Sequence, residues 1–422
     1  MQTRAVRLHG KSDLRLEQFE LPEIGDDELL VRVVTDSVCM STHKAAVQGE
    51  DHKRVPDDIG VKPVIVGHEF AGDIVKVGKN HTGRFTAGRQ FALQPTLNYK
   101  GTLWAPGYSF SYYGGACTYC IVPYQALEVG CVLDYKGSYY RASLGEPVSC
   151  IVAAFKSNYH TNKKNYEHTS GVKAGGNMLI LGGCGPMGLG AVSYALAIKN
   201  RPGRIVVAEI DEERIARAKQ LISVEEAKEK GVELFYAGIA NSSNPAAGLA
   251  ALTNGHGYDD VFLFAPVKTL AELGSKLLAY DGCFNIFAGP SDPQFKAEMN
   301  LYDVHYGAVH IIGASGGITS DMIEALALME TGLVNPSVMV THIGGLDSYA
   351  DTVLNLPNIP GGKKLIYTHI NMPLTAISDF EEIGKTNPLM AELDKCCKAN
   401  RGLWNDDAEK LLLASNSAGA VF

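Results

Sequence analysis

Polar and apolar positions follow two different rhythms along this chain. Residues 178–181 are a short apolar run of the kind a fully buried strand carries, and after a glycine-rich turn 189–198 continue as an apolar helix. A second strand-like run covers 204–210, and 212–222 (EERIARAKQLI) read as a charged amphipathic helix. Three further apolar runs, 258–264, 283–287 and 309–312, prolong this strand–helix alternation, which is the pattern of a doubly wound parallel sheet and of the α/β class. The chain before residue 158 reads otherwise. Strands and turns alternate over 1–38, with 29–34 the clearest strand. A short helix near 45–47 and a polar loop at 49–60 follow, and strands at 64–66 and 73–77 flank Gly67-His68-Glu69. A helix spans 142–158, and a polar insert at 159–173 reads as a surface loop, or as a lid or phosphate contact through Lys163 and Lys164. Beyond 318 come a helix at 320–331, a strand ending at 365–367, and two more helical segments within 378–422.

A length of 422 residues exceeds one ordinary core and predicts two domains. Hydrophobic residues make up 46% and charged residues 20%, as in a folded soluble protein. The 46 acids against 38 bases argue against nucleic acid or an anionic membrane as partner. No uncharged run reaches the roughly 18 residues of a membrane helix, and the N-terminal stretch lacks the apolar core of a signal peptide, so a cytoplasmic location is expected. Nine cysteines, an odd number scattered from 39 to 397, do not form a disulfide framework.

The glycine-rich turn carries the first chemistry. Gly183, Gly185 and Gly188 stand in G-x-G-x-x-G spacing between a strand and a helix, with Pro186 and Met187 inside the turn as further cofactor-binding candidates. On this pattern the first glycine permits the turn, the second lets the backbone approach a pyrophosphate, and the third lets helix and strand pack closely. The free N–H groups and dipole of the helix N-terminus favour the anion. Glu209 closes the next strand 21 residues beyond Gly188, where an acid binds a ribose 2′-hydroxyl and repels a 2′-phosphate. The site therefore predicts NAD(H) in preference to NADP(H), with Arg214 the nearby residue that could spoil the preference.

A thiol at 39, an imidazole at 68 and a carboxylate at 69 are three zinc-ligand types, each in a loop at the end of a strand. Singly, each is more often a packing or hydrogen-bonded residue. Together with Cys-x-Ser at 39–41, Gly-His-Glu with its following glycines at 67–78, Glu146-Pro147-Val148 and the glycine stretch, they make residues 1–375 resemble the zinc-dependent medium-chain dehydrogenases. The resemblance implies a mainly β, GroES-like catalytic domain (1–157, completed by 318–422) and a Rossmann domain (158–317). It implies one catalytic zinc per chain, with Cys39, His68, Glu69 and Glu146 as ligands and Glu69 able to swing in and out. A carboxylate at 146 resembles the polyol and threonine dehydrogenase branch. Ser41 would hydrogen-bond the substrate oxygen and pass its proton outward, although the residue is also placed to cap a helix.

Two departures stand out. Four closely spaced cysteines that hold a second, structural zinc in this family are replaced at 96–116 by an aromatic, glycine-rich segment, and Cys117 and Cys120 read as packing residues. The family's Asp-x-His is Thr42-His43-Lys44 here, so the relay histidine is either displaced to His43 or replaced by Lys44. Chain length, the aromatic segment and the C-terminal extension look most like the bacterial L-sorbose 1-phosphate reductases. That implies a small polyol or sugar phosphate as substrate, hydride transfer as the reaction, and a homodimer or homotetramer.

Overall fold

A computed structural model describes residues 1–417, and the chain falls into two compact units. One comprises Met1–Pro147 with the chain from Val340 onward, the other Val148–Met339.

The second unit is built on six parallel strands in the order Glu233–Gly238, Arg204–Glu209, Asn177–Leu181, Tyr258–Leu263, Leu278–Ile286, His310–Gly313. Its central strand pairs through Leu179 with Val206 on one side and with Val261 on the other, and all three are fully buried. Burial on both faces is why these strands read as continuous apolar runs. Strand order reverses at Asn177–Leu181, so the loops leaving its C-terminal end border the crevice where such sheets bind ligands. The helix after the glycine turn is Pro186–Ala197 and begins earlier than its apolar run, because Pro186 has the φ of a first helical residue and no N–H to lose.

Three features of this unit differ from the expectations. The helix Thr319–Glu330 belongs here and not to the catalytic unit, since Glu324 accepts from the Tyr194 hydroxyl at 2.9 Å while Lys156 pairs with Asp321 and Glu324. The divisions accordingly fall after Pro147 and after Met339, the first inside the helix Gly145–Ser157, where composition does not change. The 159–173 insert is a two-stranded hairpin, Tyr159–Thr161 with His168–Ser170, and Lys163 places its ammonium 3.5 Å from the centroid of the Tyr280 ring.

In the first unit a large sheet runs Thr375–Ala376, Val340–Gly345, Lys363–Tyr367, Leu29–Val38, Phe70–Val77, Gln90–Leu93, Val132–Tyr135, with Tyr119–Val122 also paired to Leu29–Val38. A three-stranded sheet, Asp13–Glu20, Gln2–Gly10 and Val64–Ile65, accompanies it. Leu29–Val38 is buried almost throughout, and Val31 and Val33 join Ile65, Phe70 and Phe91 in one core. The aromatic segment contributes Tyr99 and Tyr113 to that core, beside Cys117, Cys120 and Cys131.

The C-terminal helices Pro388–Ala399 and Asp406–Ser417 close a further core around Tyr140, Tyr367, Phe380, Leu393 and Trp404. Within it Glu409 accepts from the backbone N–H groups of Tyr139 (2.7 Å) and Tyr140 (2.8 Å) and from the Tyr367 hydroxyl (2.8 Å). Burial pushes its carboxyl up to about 7 despite these donors. Residues 418–422, which the expected catalytic domain included, lie outside the described residues. No helix among the described residues is long and apolar enough to cross a membrane.

Candidate metal and dinucleotide sites

Cys39 ends the long strand Leu29–Val38 and is the residue from which the helix Met40–Gln48 departs. Its thiol makes no capping bond to that helix and is free to point elsewhere. His68 and Glu69 enter Phe70–Val77 from the tight passage at Gly67, whose φ of 88° is left-handed. A Cβ at Gly67 would meet the Asp36 carboxylate and lie 2.7 Å from the Tyr349 hydroxyl, so the passage admits only glycine. These elements bring one ligand atom each of Cys39, His68 and Glu69 within 4.8 Å of one another. Ligand atoms around tetrahedral zinc stand about 3.5 Å apart, so a small contraction of this sulfur, nitrogen and oxygen set fits zinc. Glu146 lies outside that trio. It is buried in the first turn of Gly145–Ser157 and is close enough that its charge raises the proton affinity of the Cys39 thiol and of Lys363.

Charge in this pocket is balanced by a residue that sequence reasoning missed. Lys363 is buried, and its ammonium bonds both oxygens of the fully buried Glu69 carboxylate, 2.6 Å to Oε2, which also accepts from the Ser37 hydroxyl. Burial pushes the Cys39 thiol up to about 12 and the His68 imidazole down to about 4, so both are neutral at pH 7. Metal entry must therefore displace the thiol proton. His68 Nδ1 lies 3.2 Å from the Thr42 hydroxyl, which leaves Nε2 toward the cluster, and the Tyr108 ring packs 5.1 Å from the imidazole. Asp36 accepts from the Tyr349 hydroxyl and from the Glu69 N–H (3.1 Å), and burial raises its carboxyl to about 8. The one sequence signal for Lys363 was a charged residue in an inward position of a strand, in GGKKLIY.

Ser41 donates to Cys39 Sγ at 3.0 Å and stands 3.3 Å from His68 Nε2, at the edge of the cluster. The two relay candidates separate. His43 Nδ1 is 2.8 Å from the Val353 carbonyl and is held there, whereas Lys44 is half-buried and within electrostatic range of the Cys39 thiol.

On the other unit, the glycine turn divides its labour differently from the expectation. Gly182 holds the left-handed φ of 68°, and Gly183 is needed for clearance, since a Cβ there would lie 2.6 Å from Val207 Cγ1. A Cβ on Gly188 would lie 2.6 Å from the Gly183 carbonyl carbon, while one on Gly185 would touch only the Gly182 carbonyl oxygen, at an unstrained 3.9 Å. Close helix packing and an open phosphate face follow from these two positions. Glu209 accepts from the N–H groups of Cys184 (3.2 Å) and Ile210 (2.9 Å), and its remaining lone pairs can take ribose hydroxyls. Arg214 pairs with Asp211 at 3.5 Å, and Asp211 caps the helix Glu212–Leu221.

A six-stranded doubly wound sheet, a mainly β unit and a Cys–His–Glu cluster define a zinc-type dehydrogenase. Family comparison agrees: residues 25–130 match the alcohol dehydrogenase GroES-like domain and residues 186–331 the zinc-binding dehydrogenase domain. The chain belongs to the zinc-dependent medium-chain alcohol/polyol dehydrogenase family and is an oxidoreductase. It is 49% identical to mannitol-1-phosphate 5-dehydrogenase of Aliivibrio fischeri and 43% identical to L-sorbose 1-phosphate reductase of Klebsiella pneumoniae. Each match covers 98% of this chain and 97% of the relative. The crystal structure of 2R,3R-butanediol dehydrogenase from Bacillus subtilis superposes with a TM-score of 0.70 at 21% identity, covering 86% of this chain and 99% of that one, and so shares the fold.

Proposed function

We propose that the chain is an NAD(H)-linked dehydrogenase of a phosphorylated polyol, interconverting L-sorbose 1-phosphate and D-glucitol 6-phosphate by hydride transfer. The observation that carries this is the Cys39–His68–Glu69 cluster in a chain that aligns end to end with two relatives whose names specify hexose or hexitol phosphates. Cys39, His68 and Glu146 would hold zinc, with Glu69 the exchangeable ligand, and the metal would supply Lewis-acid polarisation of the substrate oxygen. The chain's own residues do the rest. Ser41 bonds the substrate hydroxyl and conducts its proton outward, with Lys44 rather than His43 positioned to continue the path. Lys363 neutralises Glu69 while that carboxylate is away from the metal. Gly185 opens the turn to the pyrophosphate, and Glu209 binds the adenosine ribose and disfavours a 2′-phosphate.

A second reading exchanges the substrate for D-mannitol 1-phosphate, and the 49% relative favours it. In L-sorbose 1-phosphate one carbon separates the reacting centre from the phosphate oxygen, and in the mannitol 1-phosphate reaction four do. The test is NADH oxidation with L-sorbose 1-phosphate, D-fructose 6-phosphate and the free ketoses. A preference for one phosphate selects between the readings, and equal kcat/KM on the free ketoses would refute both in favour of an unphosphorylated polyol or diol.

A further inference from the structure

We propose that Arg54, assisted by Lys53 and His52, is the phosphate subsite of the substrate pocket; this deepens the sugar-phosphate reading and rests on it. The segment 52–56 and the aromatic segment face each other across a cavity of 370 Å³, lined by Lys53, Arg54, Pro56, Leu103, Trp104 and Ser109. A single ring, Tyr108, stands between Arg54 and the metal cluster. The Arg54 guanidinium carbon sits 5.5 Å over the Tyr108 ring, and that ring lies 5.1 Å from His68. His52 stacks on the same tyrosine at 5.5 Å. A hexitol phosphate with its reacting oxygen at the cluster can therefore place its phosphate at Arg54.

The charges around this cavity are set for an anion. The same loop carries four acids, Glu50, Asp51, Asp57 and Asp58, of which Asp51 is paired with Lys11 at 2.6 Å and Asp58 with Lys62 at 3.3 Å. Among the described residues no carboxylate lies within ion-pair distance of Arg54 or Lys53. An unneutralised, partly buried guanidinium is unusual in a chain of net charge −8, and its planar fork suits two phosphate oxygens. His52 adds a donor, because its Nδ1 accepts the Arg54 N–H at 3.3 Å and its proton must then be on Nε2. The backbone under the arginine is fixed: Ser109 donates to the Arg54 carbonyl at 2.8 Å and accepts from the Ala105 N–H at 3.1 Å. Replacement of a cysteine-rich lobe by the aromatic segment thus gives the cavity an apolar wall at Leu103 and Trp104, opposite its cations. Of the basic residues His43, Lys44, Lys163 and Lys164, two are engaged elsewhere, His43 at the Val353 carbonyl and Lys163 on Tyr280.

The experiment measures the ratio of kcat/KM for L-sorbose 1-phosphate to that for L-sorbose, and the same ratio for D-fructose 6-phosphate and D-fructose, in wild type, Arg54→Gln, Arg54→Lys and Lys53→Gln. Each lost charge-assisted bond is worth about 10- to 100-fold, so Arg54→Gln should lower the ratio by at least tenfold, Lys53→Gln by less, and Arg54→Lys should recover part. Calorimetric binding of D-glucitol 6-phosphate to the zinc-loaded, cofactor-free enzyme should weaken in parallel. If wild type shows no preference for phosphate, the sugar-phosphate reading falls and the subsite with it. If the wild-type preference is kept in both Arg54→Gln and Lys53→Gln, the subsite is wrong while the reading stands. Exposed Lys53 decides the matter should the arginine variants lose zinc or fold poorly.

Discussion

Replacing Lys363 by methionine removes one charge from the metal cluster with little change in volume. Both partners of the Lys363–Glu69 pair are out of water, at 6% and 0% side-chain exposure, so the carboxylate left behind retains its desolvation penalty and only the Ser37 hydrogen bond. Breaking such a pair from one side costs about 3–5 kcal/mol. The exposed pair Lys62–Asp58, at 73% and 52%, serves as control and should lose no more than about 1 kcal/mol in Lys62→Met. For a unit of this size the Lys363→Met loss corresponds to a fall in midpoint on the order of 10 °C. The assay is urea and thermal unfolding of the metal-free protein. Adding Glu69→Gln should restore most of the stability, and zinc should raise the midpoint of Lys363→Met more than that of wild type, since the freed carboxylate gains a cation. A loss under 1 kcal/mol at pH 7, or no rescue by the second substitution, would refute the picture of a buried, charge-compensated glutamate.

Four further outcomes are expected. Cys39→Ala should abolish turnover and zinc retention while dinucleotide binding persists, and metal analysis of wild type should find about one zinc per chain; two would revive a structural site. Gly188→Ala forces a Cβ to 2.6 Å from the Gly183 carbonyl carbon, so it should weaken NADH binding at least tenfold and cost about 1–3 kcal/mol in unfolding experiments. Wild type should favour NADH over NADPH in kcat/KM, and Glu209→Ser should narrow the gap; a wild-type preference for NADPH would show that Glu209 does not face the ribose. Glu409, raised from 4.5 to about 7, takes up a proton on folding, so its stabilising contribution is full below about pH 4.5 and gone above about pH 7, a span of about 3 kcal/mol that Glu409→Gln should remove from the stability–pH curve.

Local chemistry was legible in the sequence, and long-range partnership was not. Strand, glycine turn, helix and acid occupy one continuous stretch from Asn177 to Asp211, so their spacing alone announces the dinucleotide site. Even there, two adjacent glycines hid which one turns the chain, because the left-handed φ belongs to Gly182 and the tight clearance to Gly183. Cys39, His68 and Glu69 could be named from the motifs around them, but Lys363 lies 294 residues from Glu69 and meets it only because Lys363–Tyr367 pairs with Leu29–Val38. Arg54 gave no signal in a loop of mixed charge until its place over the Tyr108 ring and beside the cavity was known. The first boundary was missed because it falls within a helix, and the second because Thr319–Glu330 carries no mark of which unit its apolar face will join.

The helices beyond residue 388 set a limit on how far this enzyme can be shortened. Trp404 donates its indole N–H to the Tyr367 hydroxyl at 2.8 Å, and Tyr367 ends the same strand that begins with Lys363. Glu409 binds the start of the short helix Tyr139–Ser143, a few residues before Glu146. A chain trimmed to the core of its shorter structural neighbours would uncover an aromatic cluster and loosen both the strand carrying the counter-ion and the approach to Glu146. The helices Pro388–Ala399 and Asp406–Ser417 are thus a brace under the metal pocket.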